Sequence, residues 1–131
     1  MKKKKTKLAD AEWEIMEAVW EFRRPVTVRE VHQRLYPAGE KAYTTVQTIM
    51  NILADKGFLR KKKIGMVNFY KASVSRERFT RGETRNLVSR VFQGSFGALA
   101  HYLVSSGELT AEELHELKAL IEAKEKETGN Q

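Results

Sequence analysis

Residues 42–72, AYTTVQTIMNILADKGFLRKKKIGMVNFYKA, carry two different periodicities in succession. In the first half, apolar residues recur at helical spacing and predict a helix over about 44–56. Its predicted inner side chains are Val46, Ile49, Met50 and Leu53. Gly57 lies where a glycine commonly closes a helix in the left-handed conformation. Beyond it, β-branched and aromatic residues predict two strands within 58–72, joined by a turn at about Ile64–Gly65.

The outer face of this helix carries hydroxyl and amide groups but no Lys or Arg. At 100° per residue, Thr44, Gln47 and Asn51 fall with Thr48 and Asp55 within about 100° of one another. Amide groups of this kind can pair with base edges in the major groove of DNA, and lysines can neutralise phosphates. The predicted DNA-binding residues are Lys41, Thr44, Thr45, Gln47, Thr48, Asn51, Lys61, Lys62 and Lys63.

The start of the helix and its acidic residue allow further interpretations. Thr44 or Thr45 can also serve as the N-cap, because a side-chain oxygen there accepts an unpaired backbone N–H. Asp55 is expected to be a surface or salt-bridging residue, since phosphates repel a carboxylate. The three lysines of the hairpin can alternatively be a solvated strand that protects a sheet edge.

Two helices are predicted before this stretch. Residues 10–22 place Trp13 and Trp20 on a broad apolar face, and both are expected in the core. Thr27 and Glu30 have the spacing of a capping box at the start of a second, short helix. Three helices followed by a basic hairpin is the order of a winged helix-turn-helix. The predicted fold is therefore mainly α with a small β wing.

The rest of the chain is predicted to be helical. Ser75 and Thr110 can cap helices whose apolar faces are too thin to form a core alone, so a second copy of the chain is expected to cover them. The predicted dimerisation residues are Leu87, Val91, Phe92, Phe96, Leu99, Leu103, Leu114, Leu117 and Ile121. The predicted domains are residues 1–74 for DNA binding, with 1–7 as a basic disordered tail, and residues 75–131 for dimerisation.

The net charge of +7 is concentrated in the first half of the chain. Residues 1–72 hold 16 Lys and Arg against 8 Asp and Glu, or +8, whereas residues 73–131 hold 8 against 9, or −1. Without the four lysines at 2–5 the first half still carries +4. Such asymmetry indicates that one half meets a polyanion.

Composition limits the remaining possibilities. The length of 131 residues, of which 41% are hydrophobic, suits one domain or a domain with an appendage. There is no cysteine, and the three histidines lack metal-ligand spacing, so no metal is predicted. No run approaches a membrane span and no apolar stretch of a secretory signal follows the N-terminus, so a cytoplasmic protein without membrane insertion is expected. No catalytic arrangement stands out, so neither an enzyme nor a cofactor is predicted.

Five segments, in this order, resemble the penicillinase-repressor family of BlaI/MecI/CopY-type transcriptional repressors. They are LADAEWEIMEAVW, TVREV, YTTVQTIMNILADKGFLRKKKIGMVNFY, VFQGSFGALAHYLV and ELTAEELHELKALI. The resemblance covers about residues 8–122. It implies a homodimeric winged-helix repressor that binds a palindromic operator and dimerises through its C-terminal helices. In antibiotic-responsive members, it further implies induction by proteolysis, triggered by a membrane sensor-protease.

Three departures from the family pattern accompany this resemblance. The cysteine-rich tail of the copper-responsive members is absent. The cleaved Asn–Phe bond of the proteolysed members corresponds here to Tyr102–Leu103. Ile52 stands where family members often carry Arg, which predicts a different operator or contact at that point. The open alternative is a winged-helix module that binds protein or RNA without reading a DNA sequence.

Overall fold

The computed structural model describes residues 8–129. These residues form, in chain order, α1 (Asp10–Phe22), α2 (Val28–Leu35), α3 (Tyr43–Asp55), β1 (Leu59–Ile64), β2 (Val67–Ala72), α4 (Arg76–Val91), α5 (Phe96–Ser105) and α6 (Ala111–Gly129). The predicted tail at residues 1–7 lies outside the described part of the chain. The mainly helical fold with a two-stranded wing is confirmed.

The core of the N-terminal unit lies between α1, α2, α3 and the hairpin. As predicted, α3 contributes Val46, Met50 and Leu53, each with 0% exposure. Ile49 is half-buried and packs against the same cluster. Because these four side chains occupy the inner face of α3, its hydroxyl and amide groups lie on the outer face.

Helix ends agree with the capping predictions except at α3. The Glu30 backbone N–H donates to Thr27 Oγ1 at 3.1 Å, and the Thr27 N–H donates to Glu30 Oε1 at 3.0 Å, which confirms the capping box. The predicted caps at Thr44 and Thr45 are wrong. The N-cap of α3 is Ala42, in extended conformation and without a side-chain hydrogen bond, so both threonines lie inside the first turn.

The hairpin is antiparallel, with Leu59 opposite Ala72 and Ile64 opposite Val67. The turn therefore consists of Gly65 and Met66, one residue later than predicted, because Ile64 still pairs within β1. Gly65 has φ +64°, a left-handed value that glycine adopts without strain and that two-residue hairpins require. This register fixes which lysines share a face of the wing.

Four aromatic rings join the start of α4 to the N-terminal unit. The Phe79 ring lies 5.2 Å from that of Trp13, 5.7 Å from Trp20 and 5.6 Å from Phe58. Trp20 Nε1 also donates to the Val74 carbonyl at 2.9 Å. Both tryptophans are half-buried and pack against the core cluster rather than inside it. The first turns of α4 are thus part of the N-terminal core.

Backbone packing divides the described chain within α4, between Glu83 and Thr84. In the unit from Thr84 onward, Val88 is buried, whereas neither α5 nor α6 buries any residue. Ser95 caps α5, and Thr110 with Glu113 forms the predicted capping box of α6. The functional boundary predicted after residue 74 stays a prediction.

A partly buried ion pair connects the start of α1 to Lys56, which directly follows α3. Lys56 Nζ donates to both carboxylate oxygens of Glu12, at 2.9 and 2.8 Å, and the Ala9 N–H donates to Glu12 Oε1 at 2.9 Å. Burial on its own raises the pKa of Glu12. The hydrogen bonds from Lys56 and Ala9 outweigh it and hold this pKa below its ordinary value. The pair therefore favours folding only while Glu12 is ionised.

Replacing Glu12 by Gln should lower the free energy of unfolding by about 2 kcal/mol at pH 7, because a charge-assisted hydrogen bond is lost. The folded-state pKa of Glu12 is depressed, so its contribution is complete above the unfolded pKa and disappears as pH falls through the folded value. Urea unfolding of both chains between pH 7 and pH 3 should show the difference shrinking towards low pH. A constant difference would contradict this role of the ionised pair.

Candidate nucleic-acid interface

The outer face of α3 offers unused hydrogen-bonding groups. Thr44, Thr45, Gln47 and Thr48 are all exposed. Within residues 8–129, none of these four side chains forms a hydrogen bond with another part of the chain. The amide of Gln47 can therefore donate and accept at the same time towards a partner molecule.

Asn51 lies on the same face but is already bonded. Its Oδ1 accepts from Tyr70 Oη at 2.8 Å and from Lys61 Nζ at 3.1 Å. Tyr70 is only 1% exposed, and burial, together with the nearby Tyr43, raises its pKa. Tyr70 also pairs with Val26 through backbone hydrogen bonds of 2.7 and 2.9 Å. No local pattern in the sequence indicates this link, since it depends on the hairpin register.

The three wing lysines are all exposed and are divided between the two faces of β1. Lys61 and Lys63 share one face, because side chains alternate along a strand, and the contact of Lys61 with Asn51 shows that this face is turned to α3. Lys62 lies on the other face, together with Arg60 and with Lys71, which is the cross-strand partner of Arg60. Within residues 8–129, none of these cations forms an ion pair with a carboxylate.

A groove of about 400 Å³ separates the start of α3 from β2. Arg29 from the start of α2, Gln47 from α3 and Asn68 from β2 contribute polar groups to it. Tyr43 lines the groove as well, at 43% exposure. The groove thus brings side chains from the first turns of α2 and α3 next to the wing.

Lys41 lies directly before α3 and is held there through its backbone. Its carbonyl is 2.7 Å from His32 Nε2, and its Nζ lies 5.4 Å from the centre of the Tyr36 ring. Tyr36 donates in turn to Glu14, and burial together with that carboxylate raises its pKa. These contacts position the entry to α3. Ile52, on the other flank of the outer face, is 41% exposed.

The bond between Tyr102 and Leu103 lies within α5, and both side chains are exposed at 54% and 37%. Among residues 8–129, no cluster of three His, Asp or Glu side chains could hold a metal ion. In that same part of the chain, no helix is long and apolar enough to cross a membrane.

Three helices packed on a basic two-stranded hairpin define a winged-helix protein, and the exposed polar face of α3 lies where such proteins carry their recognition helix. The sequence profile of the family described as penicillinase repressor matches residues 8–123. The chain belongs to this family, which consists of transcriptional repressors and not of enzymes.

Individual relatives match over most of their length. The methicillin resistance regulatory protein MecI of Staphylococcus aureus strain N315 is 23% identical over 95% of this chain and 100% of its own. The penicillinase repressor of Bacillus licheniformis is 25% identical, over 92% and 93% of the two chains. The transcriptional regulator BlaI of Mycobacterium tuberculosis strain H37Rv is 29% identical, over 92% and 88%.

Among solved structures, the solution structure of the DNA-binding domain of the repressor BlaI is similar to this chain. It has a TM-score of 0.50 and 30% sequence identity, and the match covers 58% of this chain and 90% of that domain. This similarity supports the winged-helix assignment independently of the family profile.

Proposed function

We propose that the protein represses transcription in the cytoplasm as a homodimer bound to a palindromic operator. In this proposal α3 lies in the major groove and the β1–β2 hairpin lies on the phosphate backbone. The observation that carries it is an exposed face of α3 without Lys or Arg beside hairpin lysines that form no ion pair within residues 8–129. The similarity to a solved DNA-binding domain of a repressor supports the same conclusion.

The proposed contacts on bases come from the exposed face of α3. The free amide of Gln47 can pair bidentately with adenine, donating to N7 and accepting from N6. Thr44, Thr45 and Thr48 can donate to phosphate or offer a methyl group to thymine. Asn51 lies on this face, with its oxygen turned to the wing. Ile52, at the flank, can add an apolar contact where the family resemblance implies Arg.

The proposed contacts on phosphates come from outside α3. Lys41 precedes the helix, and Lys61 and Lys63 lie on the face of the wing that is turned towards it. Lys62 lies on the face of the wing that is turned away from α3, so it can reach only phosphates outside the region that Lys61 and Lys63 contact. These charges raise affinity for every sequence alike, whereas the α3 amides provide sequence preference.

The exposed apolar side chains of the C-terminal unit support the proposed homodimer. The exposed members of the predicted set are Leu87, Val91, Phe96, Leu103, Leu114, Leu117 and Ile121. Phe92 and Leu99 are half-buried. Helices α5 and α6 bury no residue, although both carry rows of leucine. Many exposed apolar side chains on neighbouring helices of the sequence are typical of an interface, and in this proposal a second copy of the chain covers them by symmetry.

The family resemblance adds a route of induction to this proposal. A membrane sensor-protease system would cleave the chain at Tyr102–Leu103, within α5 and within the proposed interface. Cleavage there would divide the apolar surface and separate the two DNA-binding units. The lower avidity would then release the operator.

Replacing Lys61, Lys62 and Lys63 together by Ala should weaken binding to operator and random duplexes alike. Each lost phosphate contact should flatten the log–log salt dependence of binding by about 0.9. Wild-type and variant chains are titrated with both duplexes at salt concentrations from about 50 to about 200 mM. Binding through phosphate contacts weakens steeply over this range. Replacing Lys118, Lys124 and Lys126 of α6 by Ala is the matched control and should leave the slope unchanged. An unchanged slope for the wing variant would remove the wing from the interface.

A further inference from the structure

Asn51 connects the outer face of α3 to both strands of the wing. Lys61 on β1 and Tyr70 on β2 are direct cross-strand partners, and both donate to the single oxygen Oδ1 of Asn51. The hydroxyl of Tyr70 and the ammonium of Lys61 therefore meet at one acceptor. Since Tyr70 is buried and also paired with Val26, the junction is anchored in the core on one side and reaches the exposed Lys61 on the other.

The acceptor capacity of Asn51 limits what it can do on DNA. An amide oxygen has two lone pairs, and here Tyr70 and Lys61 use both. Bidentate recognition of adenine needs the oxygen to accept from N6 while the nitrogen donates to N7. Asn51 could read adenine in this way only by giving up one of its bonds to the wing. Gln47 has no such commitment.

We infer that Asn51 is a positioning residue that sets the wing against the recognition helix and holds Lys61 for phosphate contact, while Gln47 is the amide that reads adenine. This inference rests on the proposed DNA binding and refines it. The ammonium of Lys61 has three donors, and Asn51 occupies one of them. The remaining two serve a phosphate at a fixed distance from α3. Asn51 thereby sets the distance between the base contacts of α3 and the phosphate contact of Lys61, and it forms no bidentate contact with a base itself.

A double-mutant cycle on operator affinity tests the inference in the full-length chain. The operator is the duplex that the wild-type chain selects from a random pool. Asn51→Ala should weaken binding about tenfold. Lys61→Ala should then cost several-fold less in the Asn51→Ala chain than in the wild type, because Lys61 is no longer held in place. Lys62→Ala is the matched control, since Lys62 lies on the opposite face and should have the same effect in both backgrounds.

Two further measurements separate positioning from base reading and from loss of folding. Asn51→Asp keeps nearly the same shape and the acceptor oxygen, so it should preserve the coupling with Lys61. Asn51→Ala should weaken all duplexes with single base changes by the same factor. Relaxed preference at one base position per half-site, or loss of the coupling in the Asp variant as well, would overturn the inference.

A cycle without DNA distinguishes this inference from the proposed function. Asn51→Ala and Tyr70→Phe should be non-additive in urea unfolding, because they remove the same hydrogen bond. Additive effects would overturn the link itself. If that coupling is present but the wild-type chain selects no duplex, the proposed function fails and Asn51 is a structural link only, which also overturns its role in DNA binding.

Discussion

Ending the chain at Glu83 should lower its affinity for the palindromic operator by about 10²- to 10⁴-fold, although the DNA-binding unit stays folded. In the proposed dimer the two half-sites are bound together, so the second contact forms at high effective concentration. The truncated chain retains α3, the wing and Phe79 but lacks α5 and α6. Two truncated chains must then bind the two half-sites of the operator independently, and avidity is lost.

The position of the truncation is decided by the aromatic cluster. A chain that ends at Val74 would also lose Phe79, which packs on Trp13, Trp20 and Phe58. Removing a buried Phe side chain costs about 3–5 kcal/mol, so that shorter chain would confound lost avidity with lost stability. Urea unfolding of the chain that ends at Glu83 provides the control for folding.

Sedimentation gives the second readout of this experiment. The intact chain should sediment at about twice 15.1 kDa, and the truncated chain as a monomer. Equal operator affinity of the two chains, or a monomeric intact chain at micromolar concentration, would contradict the dimeric account.

The sequence predicted the elements of the N-terminal unit because their signals are local. The apolar period of α3, the capping box at Thr27 and Glu30, and the closing glycine at Gly57 each lie within a few residues of what they determine. The start of α3 was missed because several residues before Val46 fit a helix equally well. Its apolar period does not distinguish Ala42 from Thr44 as the N-cap.

The links between elements could not be predicted in the same way. Asn51 meets Tyr70 across 19 residues, and this contact depends on the hairpin register and on the packing of β2 against α3. The predicted turn at Ile64–Gly65 lies one residue before the observed one, and a hairpin built on it would give each wing lysine a different cross-strand partner. Likewise, the leucine rows of α5 and α6 are visible in the sequence, but a single chain cannot show what covers them.

Replacing Gln47 by Ala should remove preference for adenine at one position in each half-site. A bidentate amide–adenine pair contributes about 1–3 kcal/mol of discrimination against other bases. The rest of the operator should be read as before, because Thr44, Thr48 and the wing are unchanged. Binding to random DNA should also be unchanged, since Gln47 carries no charge.

In the proposed complex the exposed polar face of α3 reads the base sequence while the hairpin holds phosphates. Selection from a random pool of duplexes, with the wild-type chain and the Gln47→Ala chain in parallel, tests it most directly. We expect the wild type to select a palindrome with half-sites about one helical turn apart, or a multiple of it. The variant should select the same palindrome with one position per half-site relaxed. If the wild type enriches no duplex, the chain is a winged-helix module for protein or RNA. If Gln47→Ala weakens selected and random duplexes equally, α3 does not read bases through this residue.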